Sequence, residues 1–297
     1  MRTIVYGSEA DCRSPWRESG VVVMVLGIDV GGSTTKIVGF CQKGETAECI
    51  GMLQVQASDQ VTSAFGAFGK FTAEYGLRMN DIKKIVVTGV GASYLEKGMY
   101  DIPTTRVDEF IAIGLGGLKL AELSDAFIVS VGTGTAIVKA NPDGITHLGG
   151  SGVGGGMLLN LAERFAGVHS YAGITEIAKH GDLSAIDLRL CDISHEKIGN
   201  LPPDTTVSNF GNLRDNAQPA DIVLGFINMI FESIGMMAIF ATRGSNVKDI
   251  VLTGALSATE HAATVFDTLA QIHPVNFHIP KDAIFATAVG AALSEYK

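Results

Sequence analysis

The residues best suited to chemistry lie in a glycine-rich turn that runs from Asp29 to Lys36. Glycine lets the backbone turn tightly and point its N–H groups inward, and the hydroxyls of Ser33, Thr34 and Thr35 add donors, so the turn predicts a small anion pocket. Lys36 can place a positive charge on a phosphate oxygen, and Asp29 can hold Mg²⁺ directly or through water. An ordinary β-turn is the alternative, but it would need neither the aspartate nor the lysine. The residues predicted to line the pocket are Gly31, Gly32, Ser33 and Thr34.

A second turn of this kind comes later in the chain and reads Gly-Thr-Gly-Thr. By itself it is a weak signal. Paired with the first turn, it predicts that the phosphate tail of a nucleotide lies between two hairpins that stabilise its charge from both sides. The predicted contacts are Gly132, Thr133, Gly134 and Thr135.

A third glycine-rich segment, residues 149–156, has six glycines in eight residues and leads into an amphipathic pattern near Met157. Ordering glycine on folding costs more conformational entropy than ordering other residues, so six glycines directly before a helix indicate more than a plain linker. A helix N-terminus presents free N–H groups and a positive dipole, so we expect phosphate or ribose to bind there. A flexible hinge is the alternative, and the two roles are compatible.

Transfer of a phosphoryl group to an alcohol also needs a carboxylate that orients or deprotonates the hydroxyl. Spacing does not rank the candidates in this part of the chain. Asp108 could be a helix N-cap, Glu109 an acidic residue of a first helical turn, and Glu96 a solvated side chain. The candidates are Glu96, Asp101, Asp108 and Glu109.

Strands alternate with helices along the chain, which predicts an α/β fold with mixed sheets. Each glycine turn lies between two apolar β-rich runs, so we expect two β-hairpins and two similar lobes that face one cleft. The predicted lobes are residues 24–118 and 119–297, with the last helix packing back toward the first lobe. The main predicted helices are residues 59–75, 108–123, 220–242 and 285–295.

Composition limits the function classes. The 297 residues are 46% hydrophobic and 18% charged, which indicates a folded globular protein. The formal net charge of −9 provides no basic field for nucleic acid. The four cysteines form no CxxC pair, so we expect a reduced cytoplasmic protein without a zinc or iron–sulfur site.

Three further segments bear on location, assembly and chain organisation. The apolar run at residues 21–28 is far shorter than the about 20 residues that span a bilayer, so no membrane segment is expected there. The densely apolar helix at 221–242 is interrupted by Asp221, Asn228 and Glu232, which favours a core or interface helix over a membrane span. A helix of this length and composition also suits the seam of a homodimer. Residues 1–23 are polar and patternless, which predicts a loose extension.

Four segments resemble, in order, the motifs of the acetate and sugar kinase, heat-shock chaperone and actin superfamily. They are IDVGGSTTK, VGTGT, LTGAL and ATAVGAAL. Within that superfamily the chain resembles the type II pantothenate kinases, on segments that include VDEF at 107–110, HLGGSGVGGGM at 147–157, KHGDLSAIDL at 179–188 and SNFGN at 208–212. The resemblance implies an actin-like (ribonuclease H-like) fold with a nucleotide cleft between its two lobes, and it covers residues 24–297.

The resemblance implies roles for individual residues. It selects Glu109 as the catalytic base, gives Lys36 a contact with the transferring phosphate and places Asp29 in the Mg²⁺ shell. The implied reaction is transfer of the γ-phosphoryl group of ATP to the primary hydroxyl of pantothenate, the first step of coenzyme A synthesis. The glycines implied to lie against ATP are Gly154, Gly155, Gly156 and Gly254.

One position departs from the family pattern. Where the family has an arginine that helps to hold pantothenate, this chain has His147, which is shorter and has no bidentate fork. His147 and Gly150 are the predicted contacts with the acceptor. Two alternatives remain: a kinase for another small alcohol or a sugar, and a nucleotide-driven activator ATPase with iron–sulfur clusters. The four cysteines do not supply the pattern expected of such an activator.

Overall fold

The chain forms thirteen strands and eight α-helices within the part that the computed structural model describes, residues 4–6, 23–43, 46–56, 59–95, 98–257 and 259–296. The strands are β1 Ile4–Tyr6, β2 Val23–Val30, β3 Thr34–Lys43, β4 Thr46–Gln56, β5 Ile82–Thr88, β6 Thr104–Arg106, β7 Ala126–Val131, β8 Thr135–Asn141, β9 Gly144–Ser151, β10 Leu188–Arg189, β11 Thr206–Ser208, β12 Asp249–Thr253 and β13 Asn276–His278. The helices are α1 Gln60–Glu74, α2 Glu109–Ala121, α3 Gly155–Ala166, α4 Tyr171–Ala178, α5 Leu190–Ile193, α6 Pro219–Ala241, α7 Glu260–Ile272 and α8 Ala286–Leu293.

Six strands form a mixed sheet in the order β1-β4-β3-β2-β5-β6. β2 pairs with β3 antiparallel and with β5 parallel. The β2–β3 register places Asp29 opposite Lys36. This hairpin is the one predicted from the first glycine turn, and its register puts both functional side chains on the same face of the sheet.

Five further strands form a second sheet in the order β13-β12-β7-β8-β9, in which β12 and β13 are parallel. β7, β8 and β9 are consecutive neighbours, as the second predicted hairpin requires. β10 and β11 form a separate antiparallel pair. The α/β class with mixed sheets is thus confirmed.

The six-stranded sheet is covered by apolar side chains on both faces. One face packs on α1 through buried phenylalanines, Phe68 and Phe71 among them. The other face packs on α8, whose Ala288 and Ala292 belong to the same buried apolar cluster as Val25 of β2. Alanine and glycine allow this second layer to approach closely: a Cβ added at Gly27 would lie 2.1 Å from the backbone oxygen of Ala288.

α2 and α8 pack backbone to backbone. A Cβ at Gly116 of α2 would lie 1.7 Å from the Ala286 carbonyl oxygen, and one at Gly290 of α8 would lie 1.8 Å from the Ala112 carbonyl oxygen. Real Cβ atoms do not reach such distances, so both positions require glycine. This contact fixes α2, the helix that begins with Glu109.

By its internal contacts the chain separates into two compact units. The first consists of Met1–Ile128, Val138–His147 and Pro280–Lys297, and the second of Val129–Ile137 and Leu148–Ile279. The first unit therefore holds the turn after Asp29, α2 and α8. The second holds the Gly132–Thr135 turn, α3 and α6.

α6 is the longest helix in the described residues and is both long enough and apolar enough to cross a membrane by those two criteria alone. Most of its apolar stretch, 61%, is buried inside the protein. It packs against α3, α4 and α7. These contacts agree with the core helix that the interrupting polar residues predicted.

The structure departs from the sequence expectations in three places. Ile4–Tyr6 of the segment predicted as a loose extension pairs in parallel with β4 as an edge strand, while most of the remaining segment lies outside the described residues. β4 itself was not predicted. Gly149 and Gly150 belong to β9 rather than to a loop, because β9, the neighbour of β8 in the sheet, extends to Ser151.

Candidate active site

The first part of the site is an ion pair at the end of the β2–β3 hairpin. Lys36 Nζ lies 3.4 Å from Asp29 Oδ2, and both side chains are about nine-tenths buried. A buried charge is costly unless it is paired, and breaking one partner leaves the other uncompensated. The pair is therefore held in place before any ligand arrives.

Gly89, directly after β5, keeps space open beside Asp29. Its φ of +88° is a left-handed conformation that favours glycine, and a Cβ there would lie 2.7 Å from Asp29 Oδ1 and 2.6 Å from the Val30 carbonyl oxygen. Any other residue would push into the aspartate. These close contacts explain why residue 89 is glycine.

Hydrogen bonds to β5 set the start of α2. The Val107 N–H donates to the Val87 carbonyl (3.0 Å), and the Thr88 hydroxyl donates to the Val107 carbonyl (3.1 Å). Asp108 then caps α2 by accepting from the N–H groups of Phe110 and Ile111. Glu109 is consequently the first residue of a helix anchored at the strand end that adjoins Asp29.

Glu109 has the electrostatics of an acid or base. Burial raises the pKa of its carboxyl above the ordinary value, and the nearby charges of Asp29 and Asp108 raise it further, while Lys36 and Arg106 partly oppose them. Catalytic carboxyls are commonly tuned upward by desolvation and like charge in this way. Glu109 is half-buried, so its carboxyl is still reachable from solvent.

The other carboxylate candidates have different surroundings. The Asp108 carboxylate is occupied as the N-cap of α2, where it accepts hydrogen bonds from the N–H groups of Phe110 and Ile111. Asp101 is exposed and has a φ of +57°. Glu96 lies outside the described residues. Glu109 is the described candidate that is half-buried and whose carboxyl pKa is raised, by burial first and then by the charge of Asp29.

The hydroxyls of the first turn divide into two groups. Gly31 N–H donates to the Thr34 carbonyl (3.0 Å) and closes the turn, which leaves Gly32 and Ser33 exposed. Thr35 instead is buried, and its hydroxyl accepts a 2.6 Å hydrogen bond from Ser63 of α1. Thr35 therefore serves the packing of α1, and it is not one of the donors of the anion pocket.

The glycine segment of the second unit is bound directly to the second turn. Gly132 N–H donates to the Gly134 carbonyl (2.9 Å), which closes that turn. Gly155 N–H then donates to the Gly132 carbonyl (2.8 Å), and Gly156 N–H donates to the Thr133 carbonyl (2.9 Å). The N–H groups of Gly155 and Gly156 are therefore occupied, contrary to the expectation that the N-terminus of α3 offers them freely.

The need for glycine at this junction is steric. A Cβ at Gly154 would lie 2.8 Å from the Gly134 backbone, and one at Gly156 would lie 2.8 Å from the Thr133 methyl group. Thr135 is buried and its hydroxyl donates to the Val153 carbonyl (2.8 Å). The exposed positions at this junction are Gly132 and Thr133.

Two more predicted residues lie nearby in the second unit. Gly254 ends β12 with a φ of +95°, and a Cβ there would lie 2.4 Å from the Val131 carbonyl oxygen at the end of β7. Gly150 lines a cavity of about 300 Å³ whose walls are mostly apolar. The residues around this cavity are Thr135, Ile137, Leu148, Gly149, Gly150, Met237 and Ala241.

The acceptor candidate of the first unit, His147, lies on β9 with its ring stacked on Phe110. Sequence reasoning missed Phe110, and it also missed Arg106, whose charge acts on Glu109. Their nearness to Glu109 in the chain was the available signal. The stacking itself could not be read from sequence because 37 positions separate the two rings.

Comparison with known proteins settles the family. The family model described as Fumble matches residues 120–283, more than half of the chain. The chain belongs to the Fumble family. A type II pantothenate kinase of Staphylococcus aureus (strain USA300) is 29% identical over 241 residues, which cover 78% of this chain and 84% of that relative. The resemblance inferred from the sequence motifs is thereby confirmed.

Solved structures of low sequence identity share the fold. Component A of the (R)-2-hydroxyglutaryl-CoA dehydratase of Acidaminococcus fermentans has a TM-score of 0.65 at 17% identity, covering 92% of this chain and 97% of that one. The activator of the 2-hydroxyisocaproyl-CoA dehydratase from Clostridium difficile, with bound ADPNP, has a TM-score of 0.63 at 18% identity, covering 91% and 93%. At these identities the likeness concerns the fold alone.

Proposed function

We propose that this Fumble-family protein is an ATP-dependent kinase that phosphorylates the primary hydroxyl of pantothenate to 4′-phosphopantothenate, the first step of coenzyme A synthesis. The observation that carries the chemistry is the raised pKa of Glu109, set by burial and by the carboxylate of the Asp29–Lys36 pair. The relatives named type II pantothenate kinase supply the acceptor. A poised carboxylate near a buried lysine is suited to moving a proton while phosphate charge is neutralised.

In the proposed reaction the Glu109 carboxylate accepts the proton of the acceptor hydroxyl. The hydroxyl oxygen forms a bond to the γ-phosphorus of ATP, and the bond between that phosphorus and the β–γ bridging oxygen breaks, so ADP leaves with the electron pair. The Lys36 ammonium stabilises negative charge on the transferring group. Such positioning and charge stabilisation supply most of the catalysis in phosphoryl transfer.

The residues beside Lys36 suit a magnesium ion. Asp29 provides a carboxylate, the Gly89 position keeps its Oδ1 side clear of any Cβ, and oxygen is the donor that Mg²⁺ prefers. We propose Asp29 as the residue that holds the ion, directly or through water. When bound, Mg²⁺ neutralises charge on the phosphate oxygens.

For ATP we propose contacts at the glycine turn of the first unit and at the glycine turn of the second unit. In the first unit the exposed turn residues Gly32 and Ser33 are available, with Gly31 and Thr34 closing the turn. In the second unit the exposed Gly132 and Thr133 are available for ATP. Gly154, Gly155 and Gly156 pack against this turn, and the N–H groups of Gly155 and Gly156 donate to its carbonyls. Gly134 and Gly254 are the further contacts that we propose for ATP, whereas Thr135 is buried and its hydroxyl donates to the Val153 carbonyl, so it supports the turn.

We further propose a cytoplasmic homodimer. α6 supports this proposal because Phe240, near its C-terminal end, is half exposed although the helix is strongly apolar. Size-exclusion chromatography with light scattering measures the molar mass in solution and so tests the homodimer.

Release of ADP in the presence of a panel of acceptors tests the function. The purified protein receives Mg-ATP with pantothenate, pantetheine or common sugars, and the phosphorylated product is identified by mass. We expect ADP release with pantothenate together with a phosphate added at the hydroxyl. Release that is equal without any acceptor would mean an ATPase switch, and release with a sugar alone would replace the proposed acceptor.

A further inference from the structure

A buried hydrogen bond lies directly behind the first glycine turn, on the face of the sheet opposite the Asp29–Lys36 pair. The Ser63 hydroxyl of α1 donates to Thr35 Oγ1 at 2.6 Å, and the two residues are 4% and 1% exposed. Side chains alternate along a strand, so Thr35 faces α1 while Lys36, the next residue, faces the other way. The backbone at this point is therefore held from both faces, by Ser63 on one and by the ion pair on the other.

The N-terminal end of α1 is fixed against the strand ends that carry the site. A Cβ at Gly91 would lie 2.9 Å from Gln60 Cγ and 2.5 Å from Val30 Cγ1, so the first residue of α1 and the last residue of β2 pack on the same glycine. Val30 is also the partner of Thr35 in the β2–β3 register. The first turn of α1 therefore has a fixed place from which Ser63 can hold Thr35.

The two hydroxyls are unusual because their surroundings are apolar. Neighbouring positions are filled by side chains of one buried apolar cluster, among them Ile37 of β3 and Ala64 and Ala67 of α1. Apolar contacts have no preferred direction and let a helix shift slightly along a strand, whereas a hydrogen bond weakens steeply outside a narrow range of distance and angle. The buried pair therefore specifies one position of α1 against β3.

We infer that Ser63 is a positioning residue for ATP, which acts through Thr35 by fixing the glycine turn that binds phosphate. This inference rests on the proposed function, which places the phosphates of ATP at the exposed Gly32 and Ser33 of that turn. Neither buried hydroxyl touches the ligand, because both lie on the α1 face. Hydrogen bonds from a turn to phosphate depend on the exact placement of the donors, so a turn that drifts binds the nucleotide less tightly.

Two exchanges at Thr35 separate the hydrogen bond from the packing. Thr35→Val keeps the shape of the side chain and removes the acceptor, whereas Thr35→Ser keeps the acceptor and loses a methyl group. The ligand is a non-hydrolysable ATP analogue with Mg²⁺, and titration calorimetry measures its Kd without any acceptor substrate. We expect Thr35→Val to raise the Kd about threefold to tenfold, the net worth of one hydrogen bond, and Thr35→Ser to leave it within about twofold of the wild type.

Ser63→Ala removes the same bond from the side of α1 and should raise the Kd by the same factor. The double variant Ser63→Ala/Thr35→Val should bind no more weakly than either single variant, because the same bond is lost in all three. It should melt at a higher temperature than Ser63→Ala, since two apolar partners leave no buried hydroxyl unpaired.

Thr72→Val, near the other end of α1, is the matched control. Its hydroxyl donates to the Phe68 carbonyl within the helix, so its loss should leave the Kd unchanged. Steady-state kinetics add a second readout: in Thr35→Val the KM for Mg-ATP should rise while the KM for pantothenate keeps its wild-type value. A purely structural role would lower the melting temperature of both Thr35 variants and leave both KM values unchanged.

The outcomes distinguish this inference from the proposed function. An unchanged Kd in a folded Thr35→Val or Ser63→Ala variant overturns the inference. A Kd that rises as much in Thr35→Ser as in Thr35→Val also overturns it, since packing would then explain both. If the wild type binds the analogue but phosphorylates no acceptor, the proposed kinase function fails while the Kd series still decides the inference. If the wild type does not bind the analogue, both fail.

Discussion

At the scale of single residues, the chemistry depends on how one carboxyl is tuned. Glu109 is half-buried and close enough to Asp29 for that charge to raise its pKa. The same carboxyl is less stable when ionised in the folded chain than in water. Part of the stability of the fold is therefore given up at the proposed base, as is common at active sites.

Glu109→Gln removes the proposed base with little change in shape. We expect turnover to fall by about 100- to 10,000-fold while ATP still binds, as measured by ADP release and by calorimetric titration. The same variant should melt at a higher temperature at neutral pH, because the ionised Glu109 destabilises the fold once pH exceeds its raised pKa. Glu122→Gln, at the other end of α2, is the control. Wild-type turnover in Glu109→Gln would remove Glu109 from the role of base.

Arg106→Gln tests the electrostatics without touching the reacting groups. The Arg106 charge lowers the pKa of Glu109, so its loss should raise that pKa. Because the base works when ionised, the acidic limb of the kcat/KM profile against pH should move to higher pH. Arg78→Gln, at an exposed arginine directly before the 3-10 turn of residues 79–81, should leave the limb in place. A limb that moves to lower pH would contradict the assignment.

At the scale of elements, the site depends on backbones that approach more closely than side chains allow. α2 is held against α8 through Gly116 and Gly290, and the α3 glycines lie on the Gly132–Gly134 turn. These positions require glycine because backbone atoms of a neighbouring element lie where a Cβ would be. At the start of α3 the structure differs from the sequence prediction, because the N–H groups of Gly155 and Gly156 donate to protein carbonyls.

Gly116→Ala should destabilise the first unit. Its Cβ would lie 1.7 Å from the Ala286 carbonyl oxygen, so α2 or α8 must shift, at a cost of about 1–3 kcal/mol or more. Gly66→Ala in α1 is the matched control, because nothing lies within 4 Å of its added Cβ. That exchange should stabilise the protein by about 0.5–1 kcal/mol. Urea unfolding measures both, and equal stability of the two variants would exclude close α2–α8 packing.

At the scale of the whole molecule, net charge opposes the ligands. The formal charge is −9, while ATP and pantothenate are anions. Local groups must therefore provide the attraction, and Lys36 is buried in its pair with Asp29. The field of the whole protein slows the approach of an anionic acceptor.

Moderate salt should therefore increase kcat/KM for pantothenate at saturating ATP. Raising ionic strength from about 0.01 M to about 0.15 M shortens the Debye length from about 30 Å to about 8 Å and screens the repulsion. The carboxamide of pantothenate, which is neutral, provides the comparison and should respond less. A value for pantothenate that falls with salt would mean that local cations dominate the encounter.

The sequence by itself determined the features that depend on neighbours along the chain. The Asp29–Lys36 turn, the hairpin that bears it, the helix starting at Glu109 and the family all follow from local patterns, since a turn fixes which strand positions face each other. It did not give β4 or the edge strand Ile4–Tyr6.

Only the tertiary structure decided how distant segments act on one another. It gave Glu109 its raised pKa, placed His147 on Phe110, and moved Thr35 out of the anion pocket into contact with Ser63. Each of these depends on contacts between residues far apart in the chain. Desolvation and packing are properties of the folded neighbourhood, so no local pattern could have specified them.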